Sequence, residues 1–232
     1  MRKLTSITTD KSTVFTIIGI TAMILLTLTK AVPSSQIAGY AVFVGIACFF
    51  LVEALAKTKG AESGLRFKTV FEDMKKPGVL LWMLLPIVSV IATHAGGTLI
   101  FGKEFTSHIL GRTSSMLSFD KIPLLIGQLI IAALGEEIAF RGFFAGKAMK
   151  IFPFWLCAVV SSVTFAAGHI AAGHIAAGNA GLVFYDVATI FIDSIIYTIV
   201  YRKSGNCLVS TVSHIFSNAT ALAAIALTVH LS

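Results

Sequence analysis

Seven apolar runs, each long enough to cross the roughly 30 Å hydrocarbon core of a bilayer, leave this chain few ways to fold. They span about Thr13–Thr29, Ile37–Leu55, Val79–Phe101, Pro123–Gly146, Pro153–Ile170, Leu182–Tyr201 and Leu208–His230. In lipid every backbone N–H and C=O needs an internal partner, so runs of this length predict helices. The expected architecture is an all-α polytopic bundle of about seven spans, one integral-membrane domain covering 1–232. Composition excludes the soluble alternative: 56% of residues are hydrophobic and 12% charged, about half the charge of an ordinary globular domain. The start Met1-Arg2-Lys3 imitates a signal peptide, but the run that follows ends in Lys30 without a small-x-small cleavage site and reads as the first span.

The net charge of +7 does not point to nucleic acid, because the basic residues sit in short segments between apolar runs. With the N-terminus inside, inner segments hold fourteen of the eighteen basic residues, leaving Lys30, Lys103, Arg112 and Lys121 outside. The asymmetry predicts N-in and C-out. Cys48, Cys157 and Cys207 are scattered in or beside apolar runs and read as small packing residues.

Between spans two and three, Leu65, Val70, Phe71 and Met74 recur at helical spacing among lysines and arginines. The pattern reads either as an amphipathic helix on the inner leaflet or as a plain polar loop. Gly102–Lys121 reads as a polar outer loop. A short duplication, Ala166-Ala167-Gly168-His169-Ile170 followed by Ala171-Ala172-Gly173-His174-Ile175, extends the outer end of span five; His174 either lines the outer mouth or is a by-product of the duplication, and the second reading weighs more.

Charge inside a span costs about 2.5–3.5 kcal/mol on insertion scales and marks a polar interior or a cavity. Span four holds Glu136, Glu137 and Arg141. Glu137 and Arg141 lie four apart on one face of an α-helix, acid before base. Glu136 points about 100° away, without a partner on its own helix. A buried ionic knot would explain one acid with the arginine but not the second acid. Span five carries Phe165 and His169, and span seven carries His214 and Asn218 one turn apart. Asp193, with Tyr197 one turn on, either orients a catalytic histidine or bonds across helices, and the second reading weighs more. Asp186 is expected to be solvated at the outer interface, Glu53 and Lys57 to pair at i,i+4, and His94, His108 and His230 to have no role.

At these residues the sequence resembles the CPBP family of CAAX-protease and bacteriocin-processing (Abi) intramembrane proteases, related to the type II CAAX prenyl endopeptidases. The resemblance rests on Glu-Glu-x-x-x-Arg at Glu136, Glu137 and Arg141, Phe-x-x-x-His at Phe165 and His169, and His-x-x-x-Asn at His214 and Asn218. It covers about 123–220, the expected catalytic core, and departs from the pattern at the repeated His174 and at Asp193. It implies hydrolysis of a peptide bond in a membrane-associated peptide or protein. Glu136 with His169 would activate water, His214 and Asn218 would stabilise the oxyanion, and Glu137, Arg141 and Phe165 would support them. Two histidines and a carboxylate also admit zinc. The absence of an H-E-x-x-H helix, and an Asn218 that zinc would leave unexplained, favour a metal-free route. A bacterial plasma-membrane protein active in bacteriocin immunity or maturation, or in peptide-signal processing, fits the resemblance. A non-proteolytic immunity or scaffold protein that binds a peptide or a sensor kinase is the alternative.

One difficulty is depth. At 1.5 Å per residue from the inner ends, His214 lies about 10 Å deep, Glu136 about 15 Å and His169 above 20 Å. The hairpin between spans four and five is therefore expected to protrude inward, with Lys147 and Lys150 in the cytosol.

Overall fold

A computed structural model describes residues 10–28, 34–58, 62–113, 122–171 and 179–231. All the regular secondary structure among the described residues is helical, with no strand. The helices are α1 Lys11–Leu28, α2 Ser34–Leu55, α3 Val70–Met74, α4 Val79–Phe101, α5 Lys103–Thr113, the composite α6 over 122–148, α7 Phe154–Ala171, α8 Ala180–Ser204 and α9 Cys207–Leu231. By length and composition α1, α4, α8 and α9 can each cross a membrane, while α2 and α7 contribute shorter apolar stretches, Gly39–Leu55 and Phe154–Ile170. His174 and most of its repeat lie outside the described residues.

Large apolar side chains cover the outer surface: Phe43, Ile131 and Phe184 are exposed, and Leu99 is 86% exposed. In water so much exposed apolar surface would drive association; facing lipid it is solvated. The interior is instead built from small and polar groups that let helices approach closely. Gly45 on α2 shows why. A Cβ there would lie 2.6 Å from the Cβ of Ala139 and 2.9 Å from its Cα, so α2 meets α6 backbone to backbone. Ser161 on α7 donates to the Phe140 carbonyl of α6, and Ser213 on α9 donates to the Met83 carbonyl of α4. A phenylalanine-rich core, including Phe49, Phe140, Phe143, Phe144 and Phe165, fills the space between α2, α6 and α7.

Several loop expectations are corrected. The inner segment is neither a long amphipathic helix nor a plain loop. Only Val70–Met74 is helical, Phe71 is 78% exposed, and Asp73 is the buried member. Asp73 pairs with Arg66 (2.9 Å) and Lys76 (2.7 Å) and accepts from Asn206 (3.0 Å). Asn206 also donates to the Arg66 carbonyl. A strap over 62–78 is thereby latched onto the α8–α9 turn, where Gly205 adopts φ +72°. Apolar periodicity alone could not reveal a latch made from polar pairs. Glu53 pairs with Lys147 instead of Lys57, because α2 ends at Leu55 and Lys57 turns away with φ +51°. Lys147 is accordingly buried, with its ammonium 5.0 Å from the Phe49 ring. The predicted outer loop contains α5, and Asp186, expected to be solvated, is buried against His108 of that helix. His94 donates from Nδ1 to the Val90 carbonyl within α4.

Candidate active site

The site is assembled around α6, and α6 is not the uniform α-helix that the spacing predicts. Gly127–Ala132 and Glu137–Ala145 wind as π-helix, flanked by α-helical turns. The N–H of Gly146 reaches the Arg141 carbonyl five residues back, the bond that defines this winding. Residue 146 must be small to allow it. A Cβ there would sit 2.5 Å from the Arg141 carbonyl oxygen and 2.6 Å from the Tyr201 hydroxyl. Every residue of the second π stretch is buried, and π segments inside α-helices recur at functional sites.

Glu137 opens that stretch with its side chain fully enclosed. Its Oε1 lies 3.0 Å from Arg141 Nη1 and accepts from His214 Nδ1 at 3.0 Å. Arg141 is equally buried, donates to the Ser194 hydroxyl of α8 at 2.8 Å, and lies over the Phe165 ring at 4.7 Å. An arginine, an acid and a histidine from two helices are thus paired in a closed space, as buried charges require, while Glu137 Oε2 and Arg141 Nε and Nη1 have no hydrogen-bond partner among the described residues.

Glu136 approaches the same histidine from its other side. Its Oε2 lies 3.9 Å from His214 Nε2, and its side chain is 23% exposed where that of Glu137 has no exposure. At 3.9 Å the contact is too long for a direct hydrogen bond and is the right span for a bridging water. Glu136 thus faces His214 of α9 across the bundle.

His169 is half-buried on α7. Its Nδ1 donates to the Phe165 carbonyl at 2.9 Å, and its ring packs on Phe165 at 4.5 Å. Phe165 in turn meets His214 edge-on at 6.4 Å, so both imidazoles contact one phenyl ring. Asn218 is half-buried one turn beyond His214 on α9. Asp193 on α8 is only partly covered, contacts Ser89 of α4, and keeps Oδ1 buried without a hydrogen-bond partner among the described residues.

Sequence reasoning missed Ser194 and underrated Tyr197, whose ring stacks on His214 with centroids 4.6 Å apart and planes 19° apart. Their only sequence signal was position, one turn on either side of each other in a polar-flecked span. Among the described residues no three His, Cys, Asp or Glu side chains converge to hold a metal ion. With Nδ1 of His214 committed to Glu137, Nε2 and Glu136 alone do not make the three-ligand set of a catalytic zinc.

Residues 118–220 match the family model described as type II CAAX prenyl endopeptidase Rce1-like. The match spans under half of the chain and contains all three motifs. No curated protein and no solved structure matches. The matched family is one of proteases, and with the apolar helices it identifies an integral membrane protein.

Proposed function

We propose that this chain is an intramembrane endopeptidase that hydrolyses its substrate without a metal. The observation that carries the reading is the asymmetric grip on His214: a buried, arginine-paired Glu137 on Nδ1 and a partly exposed Glu136 facing Nε2. One acid is built into the framework, and the other stays partly exposed.

In this mechanism Glu136, assisted by His169, takes a proton from water as the water oxygen bonds to the scissile carbonyl carbon. His169 suits that role, because donating from Nδ1 to Phe165 leaves Nε2 as an acceptor. The carbonyl oxygen becomes an oxyanion that accepts from His214 Nε2 and Asn218, donors in a dry site where each is worth several kcal/mol. The C–N bond then breaks, and the proton held by Glu136 passes to the leaving amine. Glu137 and Arg141 keep the His214 ring in register throughout. The substrate is a membrane-associated peptide or protein, with prenylated CAAX peptides as the first class to try.

The seven helical runs are read as seven spans, N-terminus inside and C-terminus outside, in a bacterial plasma membrane. Bacteriocin immunity or maturation and peptide-signal processing are the settings proposed for the activity.

The test is mass spectrometry of prenylated and unprenylated peptides incubated with the purified full chain and its Glu136→Gln variant, with and without a chelator. Wild-type cleavage that survives chelation and falls by at least about 10²-fold in Glu136→Gln is the expected result. Biological activity that is unchanged in a folded Glu136→Gln would instead favour a non-proteolytic immunity or scaffold protein.

A further inference from the structure

The contacts described for His214 with the two glutamates lie along its edge. Nδ1 bonds to Glu137 at 3.0 Å and Nε2 looks toward Glu136 at 3.9 Å. The Nδ1 bond fixes one point on the ring edge and by itself leaves the imidazole free to tilt about that bond. A tilt swings the Nε2–H direction away from wherever an oxyanion forms, and catalytic groups tolerate little of this.

Tyr197 removes that freedom. Its ring lies nearly parallel to the imidazole, with centroids 4.6 Å apart, while Phe165 stands edge-on to His214 at 6.4 Å. Tyr197 is itself held firmly. It is 3% exposed, and its ring lies 5.2 Å from the Arg141 guanidinium. The guanidinium that engages Glu137 therefore also packs on the ring that backs His214. Tyr197 belongs to α8, the helix that supplies none of the three motifs.

The geometry points to Tyr197 as a positioning residue that sets the plane of His214. The stack thus aims the oxyanion donor. This inference rests on the hydrolase reading above.

The experiment uses the purified full chain and a quenched-fluorescence prenylated CAAX peptide, with kcat and KM measured for wild type, Tyr197→Phe, Tyr197→Leu and Glu136→Gln. Tyr197→Leu is expected to lose about 10²-fold in kcat, the scale of an ångström-level misplacement, with KM within about threefold of wild type because no substrate contact is removed. Tyr197→Phe keeps the aromatic face and is expected to recover kcat to within about fivefold of wild type. If Tyr197→Leu does not fold, Tyr197→Met, of similar volume and without a π face, carries the same comparison. A folded Leu or Met variant with kcat near wild type overturns the inference. So does a Phe variant as impaired as Leu, which would assign the effect to the hydroxyl. Glu136→Gln separates the two levels: if it cleaves like wild type, the hydrolase reading itself fails, whatever Tyr197 does.

Discussion

Glu136 and Glu137 are sequence neighbours with opposite surroundings, and they should have opposite phenotypes. Glu137 is enclosed between Arg141 and His214. Glu137→Gln leaves a buried guanidinium without its counter-charge, a loss that costs about 3–5 kcal/mol when a buried pair is broken from one side. Thermal unfolding in detergent should show a large drop in Tm, with activity lost alongside. Glu136 is partly exposed, so Glu136→Gln should shift stability by no more than about 0.5 kcal/mol while removing cleavage. A Glu136→Gln variant that unfolds as readily as Glu137→Gln would contradict this division of roles. The i,i+4 spacing was enough to read the Glu137–Arg141 pair from the sequence. Convergence of both acids on one imidazole was not legible, because it depends on how α9 lies across α6.

At the scale of elements, helices were legible wherever an apolar run set them, and their winding and ends were not. The π stretches of α6 leave the composition of the span unchanged, so no periodicity announces them. The α2–α6 contact depends on Gly45, where a Cβ would lie 2.6 Å from that of Ala139. Gly45→Val should force the helices apart and destabilise by about 1–3 kcal/mol, as overpacking does; unfolding in detergent measures it, and an unchanged Tm would show that the approach is not tight. The strap offers a pH test. Burial alone would raise the Asp73 carboxyl, but hydrogen bonds from Lys76, Asn206, Thr69 and Arg66 outweigh it and hold the group well below the usual carboxylate range. A value lowered on folding contributes stability that is present above the unfolded value, about 3.9, and is lost as pH falls through the folded value. The latch should therefore stay shut across neutral and mildly acidic pH and open only in strong acid. Asp73→Asn should loosen it at neutral pH. Hydrogen exchange over residues 64–76 should rise at least about tenfold, the equivalent of about 1.4 kcal/mol; equal exchange in the two proteins would refute the latch.

At the scale of the whole molecule, the apolar surface of the bundle and its basic loops argue for one orientation. The strap, Lys147, Arg202 and Lys203 belong to segments assigned to the inside, and α5 with Asn179 to the outside. Reporter fusions at the two termini are expected to read N-in and C-out, and matching sides would remove the seven-span reading. The three motifs were legible as types and spacings, which is why a match over 118–220 encloses them. The polar contacts that tie α3, α5 and α8 into the bundle were not, because each joins single residues far apart in the chain. The central claim is that a water molecule, activated at Glu136, cuts a peptide bond inside this bundle. Mass spectrometry of peptide products formed in ¹⁸O-labelled water tests it most directly. The account predicts one labelled oxygen in the new C-terminal carboxylate for wild type and almost no product for Glu136→Gln; equal labelled product from a folded Glu136→Gln, or product without label, would contradict it.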